Sequence, residues 1–159
     1  MQHVHARNNG WKWVTLVLFI FFVMAGGSLI GLTFTPGEWY AGLQKPWFNP
    51  PNAIFGPVWT LLYLMIAIAG WRTWRRGPAG LPMQLWFGQL LFNFIWTPAF
   101  FGMHTTGLAL LVLTVMLALI VLFIQLTWKP DRISALLFVP YACWVTFAGL
   151  LNLSIWWLN

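Results

Sequence analysis

Five long apolar runs, at roughly residues 13–34, 53–72, 82–102, 106–127 and 133–157, constrain this sequence more than any motif in it. Each reaches the length of about 20 residues that a helix needs to cross a bilayer. The runs are continuous rather than alternating, and an open sheet edge has no hydrogen-bond partners in lipid, so helices are expected and strands are not. Only 6% of the residues are charged and 60% are hydrophobic, whereas a soluble domain carries roughly 25% charged residues. The expected fold is therefore all-α, an integral membrane bundle of five transmembrane helices forming a single domain over residues 1–159, with a long connecting loop at 35–52.

The first run follows Arg7 and Lys12 and passes through Ala25-Gly26-Gly27-Ser28, which has the outline of a signal peptide. Apolar character continues through Leu29, Ile30, Leu32 and Phe34, so the run is expected to be retained as a span. Five spans sort the polar segments onto two sides. Arg7, Lys12, Arg72, Arg75, Arg76, Lys129 and Arg132 fall on the N-terminal side, and Lys45 alone falls on the other. That asymmetry predicts an N-terminus in the cytoplasm and a C-terminus outside. The formal charge of +6 is spread over span ends and makes no basic stripe, so nucleic acid is not an expected partner. Cys143, the one cysteine, has no intramolecular disulfide partner.

The loop between the first two spans reads Pro36-Gly37-Glu38-Trp39-Tyr40-Ala41-Gly42-Leu43-Gln44-Lys45-Pro46-Trp47-Phe48-Asn49-Pro50-Pro51. Pro46, Pro50 and Pro51 stiffen it and the aromatics give it apolar faces, which suits either a semi-rigid lid or an interfacial turn anchored by Trp39 and Trp47. Ten of the thirteen tryptophans sit near span ends, Trp86 and Trp128 among them, and fit an aromatic belt at the membrane interface. Trp59, Trp96 and Trp144 instead lie inside spans, where each indole N–H must find a partner away from water. Helical spacing places Gln89, Asn93, Trp96 and Phe100 on one face of the third span, Trp59 and Tyr63 together on the second, and Trp144, Ala148 and Asn152 together on the fifth. These stripes can meet in one cavity under the loop, or the polar members can simply hold helices together. Pro57, Pro98 and Pro140 interrupt helix ladders, either widening a cavity or serving packing.

Five ordered segments resemble the tryptophan-rich sensory protein (TspO, translocator protein) family: Trp39-Tyr40, Lys45-Pro46-Trp47-Phe48-Asn49-Pro50-Pro51, Trp59 to Tyr63, Gln89 to Gly102 with Asn93-Phe94-Ile95-Trp96-Thr97-Pro98 inside it, and Phe138 to Asn152. The resemblance runs from about residue 32 to residue 153. It implies a five-helix membrane bundle, often a homodimer, that binds porphyrins such as protoporphyrin and haem, benzodiazepine-type compounds and other hydrophobic small molecules, with cholesterol bound in animal members. It also implies that Tyr40, Lys45, Trp47, Trp59, Tyr63, Gln89, Asn93, Trp96, Phe100, Trp144 and Ala148 line the ligand pocket, Lys45 meeting a propionate at the mouth. Some bacterial members are reported to degrade protoporphyrin in light, which would single out Trp59 and Trp144 as reactive indoles. A role in tetrapyrrole metabolism at a bacterial inner membrane is the corresponding expectation, with no required cofactor.

Other chemistry finds little support in the residues. Glu38 and Asp131 are the only acids and neither lies inside a span, which disfavours ion-coupled transport. Asp131 is expected to cap the fifth helix. His3, His5 and His104 are too dispersed for a metal centre, and His3 and His5 are expected in an unordered arm. No nucleophile, base and orienting acid can be assembled. Tyr141 has no Lys or Arg after it, so the sterol motif sought in animal relatives is missing. Gly27 and Gly31 form a GxxxG suited to close helix packing.

Overall fold

The computed structural model describes the backbone from His3 to Asn159 and the side chains from Gly10 onward; the side chains of His3, His5 and Arg7 lie outside the described residues. In chain order the elements are α1 (His3–Thr33), α2 (Glu38–Gly42), α3 (Asn52–Arg76), α4 (Leu81–Thr97), a π-helical turn (Pro98–Gly102), α5 (Thr106–Thr127) and α6 (Arg132–Leu158). No strand occurs among the described residues, as continuous apolar runs require. Helix α1 already begins at His3, where an unordered arm was expected.

Four helices are long and apolar enough to cross a membrane: α1 from Gly10, α3, α5 and α6. Helix α4 has 17 residues and runs directly into the π-helical turn. The change of register begins at Pro98, which has no amide hydrogen to continue the α ladder. Instead the Met103 amide donates to the Pro98 carbonyl at 2.8 Å, closing the wider turn. Thus the proline in this span changes helix type rather than merely bending it.

Helix α5 packs between α4 and α6, and α3 packs between α1 and α6, so the long helices form a ring that α1 and α4 close only lightly. Two glycines permit the closest approaches. A Cβ at Gly27 would run into the Tyr63 ring, and one at Gly70 would run into the Trp86 indole. The first half of the GxxxG therefore serves the α1–α3 contact within the chain. Trp86 corrects the aromatic-belt expectation. It is fully buried among Ile66, Met83 and Leu90, with its indole N–H donated to the Ile66 carbonyl at 2.9 Å.

Asp131 also differs from its expected role. It occupies the residue before α6, but its side chain makes no cap to the helix amides. Instead it accepts from Arg72 Nη2 at 2.7 Å, Arg72 Nε at 3.2 Å and the Ser134 hydroxyl at 2.7 Å, with Arg76 Nε at 3.3 Å. A carboxylate with two guanidinium partners is more strongly satisfied than one at a helix end. Burial pushes the Asp131 pKa up, but hydrogen bonds from Arg72 and Ser134 and the charges of Arg72 and Arg76 outweigh it and hold it below its ordinary value. The cluster ties the end of α3 to the start of α6.

Candidate functional site

The ring of helices encloses a cavity of about 520 Å³ at the end of the bundle that carries the Pro-rich loop. Pro36 and Tyr40 form its roof. Tyr40 projects from the short helix α2 and is 6% exposed, its ring edge-on to Phe100 at 6.1 Å and Phe101 at 5.3 Å. Burial raises the Tyr40 pKa, and the hydrogen bond its hydroxyl makes with Asn49 Oδ1 at 3.4 Å offsets this only in part. Beside it, Trp39 stacks on His104 with ring centres 4.2 Å apart and 18° between planes. His104 reaches that stack from a left-handed backbone conformation, φ 56°, in the turn before α5. Further along, the Gln44 amide and carbonyl are both held by the Asn159 carboxamide at 3.0 Å. The loop is thus fastened at three separate places.

Stacked rings make the walls. Trp96 lies over Phe100 at 5.4 Å and 28°, one helical turn apart where α4 passes into the π-helical turn. Trp59 faces Tyr63 at 5.4 Å and 31° on α3. The Trp96 indole donates to Asn152 Oδ1 at 3.2 Å, and the Asn152 amide donates onward to the Thr106 carbonyl at 2.7 Å. The Trp96 indole and the Asn152 carboxamide are thus both paired, as a water-poor interior demands.

The floor is a connected network. Tyr63 donates to Asn93 Oδ1 at 3.1 Å, Asn93 Nδ2 donates to the Tyr141 hydroxyl at 2.8 Å, and Tyr141 donates to Gln89 Oε1 at 2.8 Å. Gln89 Nε2 in turn donates to the Trp86 carbonyl at 2.9 Å. Asn93 lines the cavity, as does Met116, and one of its two side-chain N–H groups has no partner in this chain of bonds.

Seven of the eleven expected pocket residues line this cavity: Tyr40, Trp59, Tyr63, Asn93, Trp96, Phe100 and Ala148. Gln89 sits one layer behind Asn93, fully buried and bonded to Tyr141. Lys45 folds back over the Tyr40 ring at 4.6 Å, with Nζ donating to the Ala41 and Leu43 carbonyls at 3.3 and 3.2 Å, so it does not reach the cavity lining. Trp47 is 95% exposed. Trp144 lies in a separate groove of about 470 Å³ on the outer side of α3 and α6, with Leu61, Pro140, Cys143 and Phe147. Its ring lies 5.7 Å from that of Phe55, which does line the cavity. The Trp144 indole nitrogen is buried without a hydrogen-bond partner. Of the two indoles expected for photochemistry, Trp59 is in the cavity wall and Trp144 is outside it.

Sequence reasoning missed Tyr141 as a member of the site, although a lone phenol within an apolar helix always needs a partner there. It also missed the contribution of α1, whose Gly27, Ser28, Gly31 and Leu32 complete the wall. That stretch is mostly glycine and aliphatic, with Ser28 its one polar lining residue.

The fold and the cavity together define a helical integral membrane protein with a large, aromatic-walled internal chamber. The chain belongs to the TspO/MBR family, which it matches over residues 17–158. It is 38% identical over 150 residues to Protein CrtK of Rhodobacter capsulatus, covering 92% of this chain and 94% of that one. The tryptophan-rich sensory protein of Cereibacter sphaeroides is 38% identical over 144 residues, covering 89% and 91%. The translocator protein of Bos taurus is 35% identical over 152 residues, covering 91% and 89%.

Proposed function

We propose that the protein is a five-span membrane receptor that holds porphyrins such as protoporphyrin or haem, and similar hydrophobic ligands, in the cavity beneath the first loop, and so influences tetrapyrrole metabolism. The observation that carries this reading is the cavity itself. About 520 Å³ falls inside the range of roughly 300–1,000 Å³ typical of small-molecule sites, and stacked ring faces with few polar groups suit a flat, largely apolar ligand. Asn93 supplies a polar group at the floor.

The 17 residues of α4 and the five of the π-helical turn make the remaining span, third in chain order and about 33 Å long at 1.5 Å per residue. Basic residues concentrated at one end of the bundle support an N-terminus in the cytoplasm, with the loop and Asn159 on the outer side of a bacterial inner membrane. Labelling of Gln44→Cys in intact cells, in a Cys143→Ser background, tests that orientation; reaction only after lysis would reverse it.

Binding is tested by titrating purified protein with protoporphyrin and following tryptophan fluorescence. Saturable quenching that Ala148→Phe weakens is the expected result. Quenching that rises without saturation, or is indifferent to cavity substitutions, would remove the porphyrin reading.

A further inference from the structure

The residues that line the cavity are unequally exposed. Of the residues that line the cavity, the exposed ones are Ser28, Gly31 and Leu32 of α1, Pro36 just beyond it, and Asn52, Gly56 and Thr60 of α3. Exposure confined to the end of α1 and the start of α3 puts the cavity's opening between those two helices. At Gly31 and Gly56 a Cβ would meet nothing within 4 Å. One turn deeper the same two helices are sealed, because Gly27 lies against the Tyr63 ring, while Gly26 closes α1 against Phe94 of α4. The helices thus touch near mid-bundle and leave a slot between them toward the loop. The Thr60 hydroxyl bonds back to the Gly56 carbonyl at 2.9 Å, so the slot presents little free polar surface.

The loop end is closed by contrast. Tyr40 is packed into Phe100 and Phe101, Trp39 is stacked on His104, and Gln44 is pinned by Asn159. Admission through the fastened part of the loop must break these contacts, whereas the α1–α3 slot is bordered by two glycines with open space beside them. Resting on the reading of this cavity as a ligand site, we infer that its occupant arrives laterally from the loop-side leaflet of the bilayer, through the α1–α3 slot between Gly31 and Gly56. The ligands this route selects are amphiphiles already dissolved in the membrane, with an apolar body narrow enough to pass between two helices and a polar end that stays near the loop.

The test uses the full chain in vesicles containing a phospholipid with a diazirine on one acyl chain. After illumination, mass spectrometry reads which residues carry the lipid. Labelling is expected at Tyr63 and Met116, deep in the cavity, as well as at Leu111 on the lipid-facing side of α5. Gly31→Phe, and independently Gly56→Phe, fill open space rather than displacing a neighbour. Either is expected to cut cavity labelling at least about fivefold and leave Leu111 unchanged, and to slow protoporphyrin association by about tenfold. Asn159→Ala and His104→Ala, which loosen the loop, are expected to leave the association rate within about twofold of wild type. Cavity labelling that is absent in wild type, or equal in the filled variants, overturns the lateral route, as does faster association on loosening the loop. Lipid labelling through the slot without saturable porphyrin binding would uphold the route and remove the porphyrin reading. Saturable binding without lipid labelling would do the reverse.

Discussion

Asn93 on α4 donates to the hydroxyl of Tyr141 on α6 at 2.8 Å, and this one bond joins the cavity floor to the buried core. Because Tyr141 passes its own hydrogen to Gln89 Oε1, its hydroxyl is the centre of the network, whereas Tyr63 is its cavity-facing edge. Tyr141→Phe strands Gln89 Oε1 and the bonded Asn93 N–H in a region that water does not reach. The expected loss is about 1–2 kcal/mol, set by two orphaned groups and moderated by the small net value of hydrogen bonds between membrane helices. Tyr63→Phe is expected to cost less than about 1 kcal/mol, because only one bond to Asn93 is lost. Denaturant unfolding in detergent micelles measures both, and equal losses would remove Tyr141 from its central position.

Gly70 and Trp86 make a second contact with a measurable consequence. An alanine methyl at Gly70 has no space except that filled by the indole, and the indole is held in place by its bond to the Ile66 carbonyl. Gly70→Ala is expected to destabilise the bundle by about 1–3 kcal/mol through overpacking. Gly149 is also helical but has nothing within 4 Å of a Cβ. There the same change is expected to stabilise by up to about 1 kcal/mol, because alanine loses less backbone freedom than glycine on folding. Opposite signs at the two positions are the test, and thermal melts of the two variants supply it.

Asp131 gives the fold a pH dependence. Its carboxyl is held below the ordinary value of 3.8, so its contribution is fully present above that pH. It is lost as pH falls through the lower folded-state value, where the carboxylate protonates and releases Arg72 and Arg76. Asp131→Asn is expected to lower the melting temperature at neutral pH and to flatten the decline in acid, so that variant and wild type converge there. An acid limb of undiminished height in the variant would assign the titration to another group.

How far the sequence revealed this structure depends on which distance mattered. Hydropathy located the helices because lipid acts on every residue of a run at once. Trp86 was misplaced because it lies close to the start of its run, where an interfacial indole is also found, and the reason for its burial is a glycine on a different helix. Trp144 was misplaced for a geometric reason. Steps of four residues turn a helix by about 40° beyond a full circle, so Trp144 and Asn152 point about 80° apart. The cavity centres on Ala148, Leu151 and Asn152, and Trp144 is carried round toward the outer groove. In α4 the steps of four, three and four nearly cancel, and Asn93, Trp96 and Phe100 do share the cavity, with Gln89 merely deeper. The slot beside Gly31 and Gly56 was illegible because it consists of missing side chains.

Ala148 offers the sharpest comparison within the site. It is 7% exposed and lines the cavity, so a larger side chain there projects into space a ligand would occupy. Ala148→Phe adds a ring without removing any hydrogen bond, and is expected to weaken protoporphyrin affinity at least about tenfold, equivalent to about 1.4 kcal/mol. Trp144→Phe, four residues earlier on the same helix, changes a side chain that lies beyond Phe55 and has no polar partner to lose. It is expected to leave affinity within about twofold, since no wall contact is removed. Both are measured by tryptophan quenching, with each variant normalised to its own unliganded emission because Trp144→Phe also removes a fluorophore. A large loss at Trp144 with none at Ala148 would place the ligand in the outer groove between α3 and α6 instead.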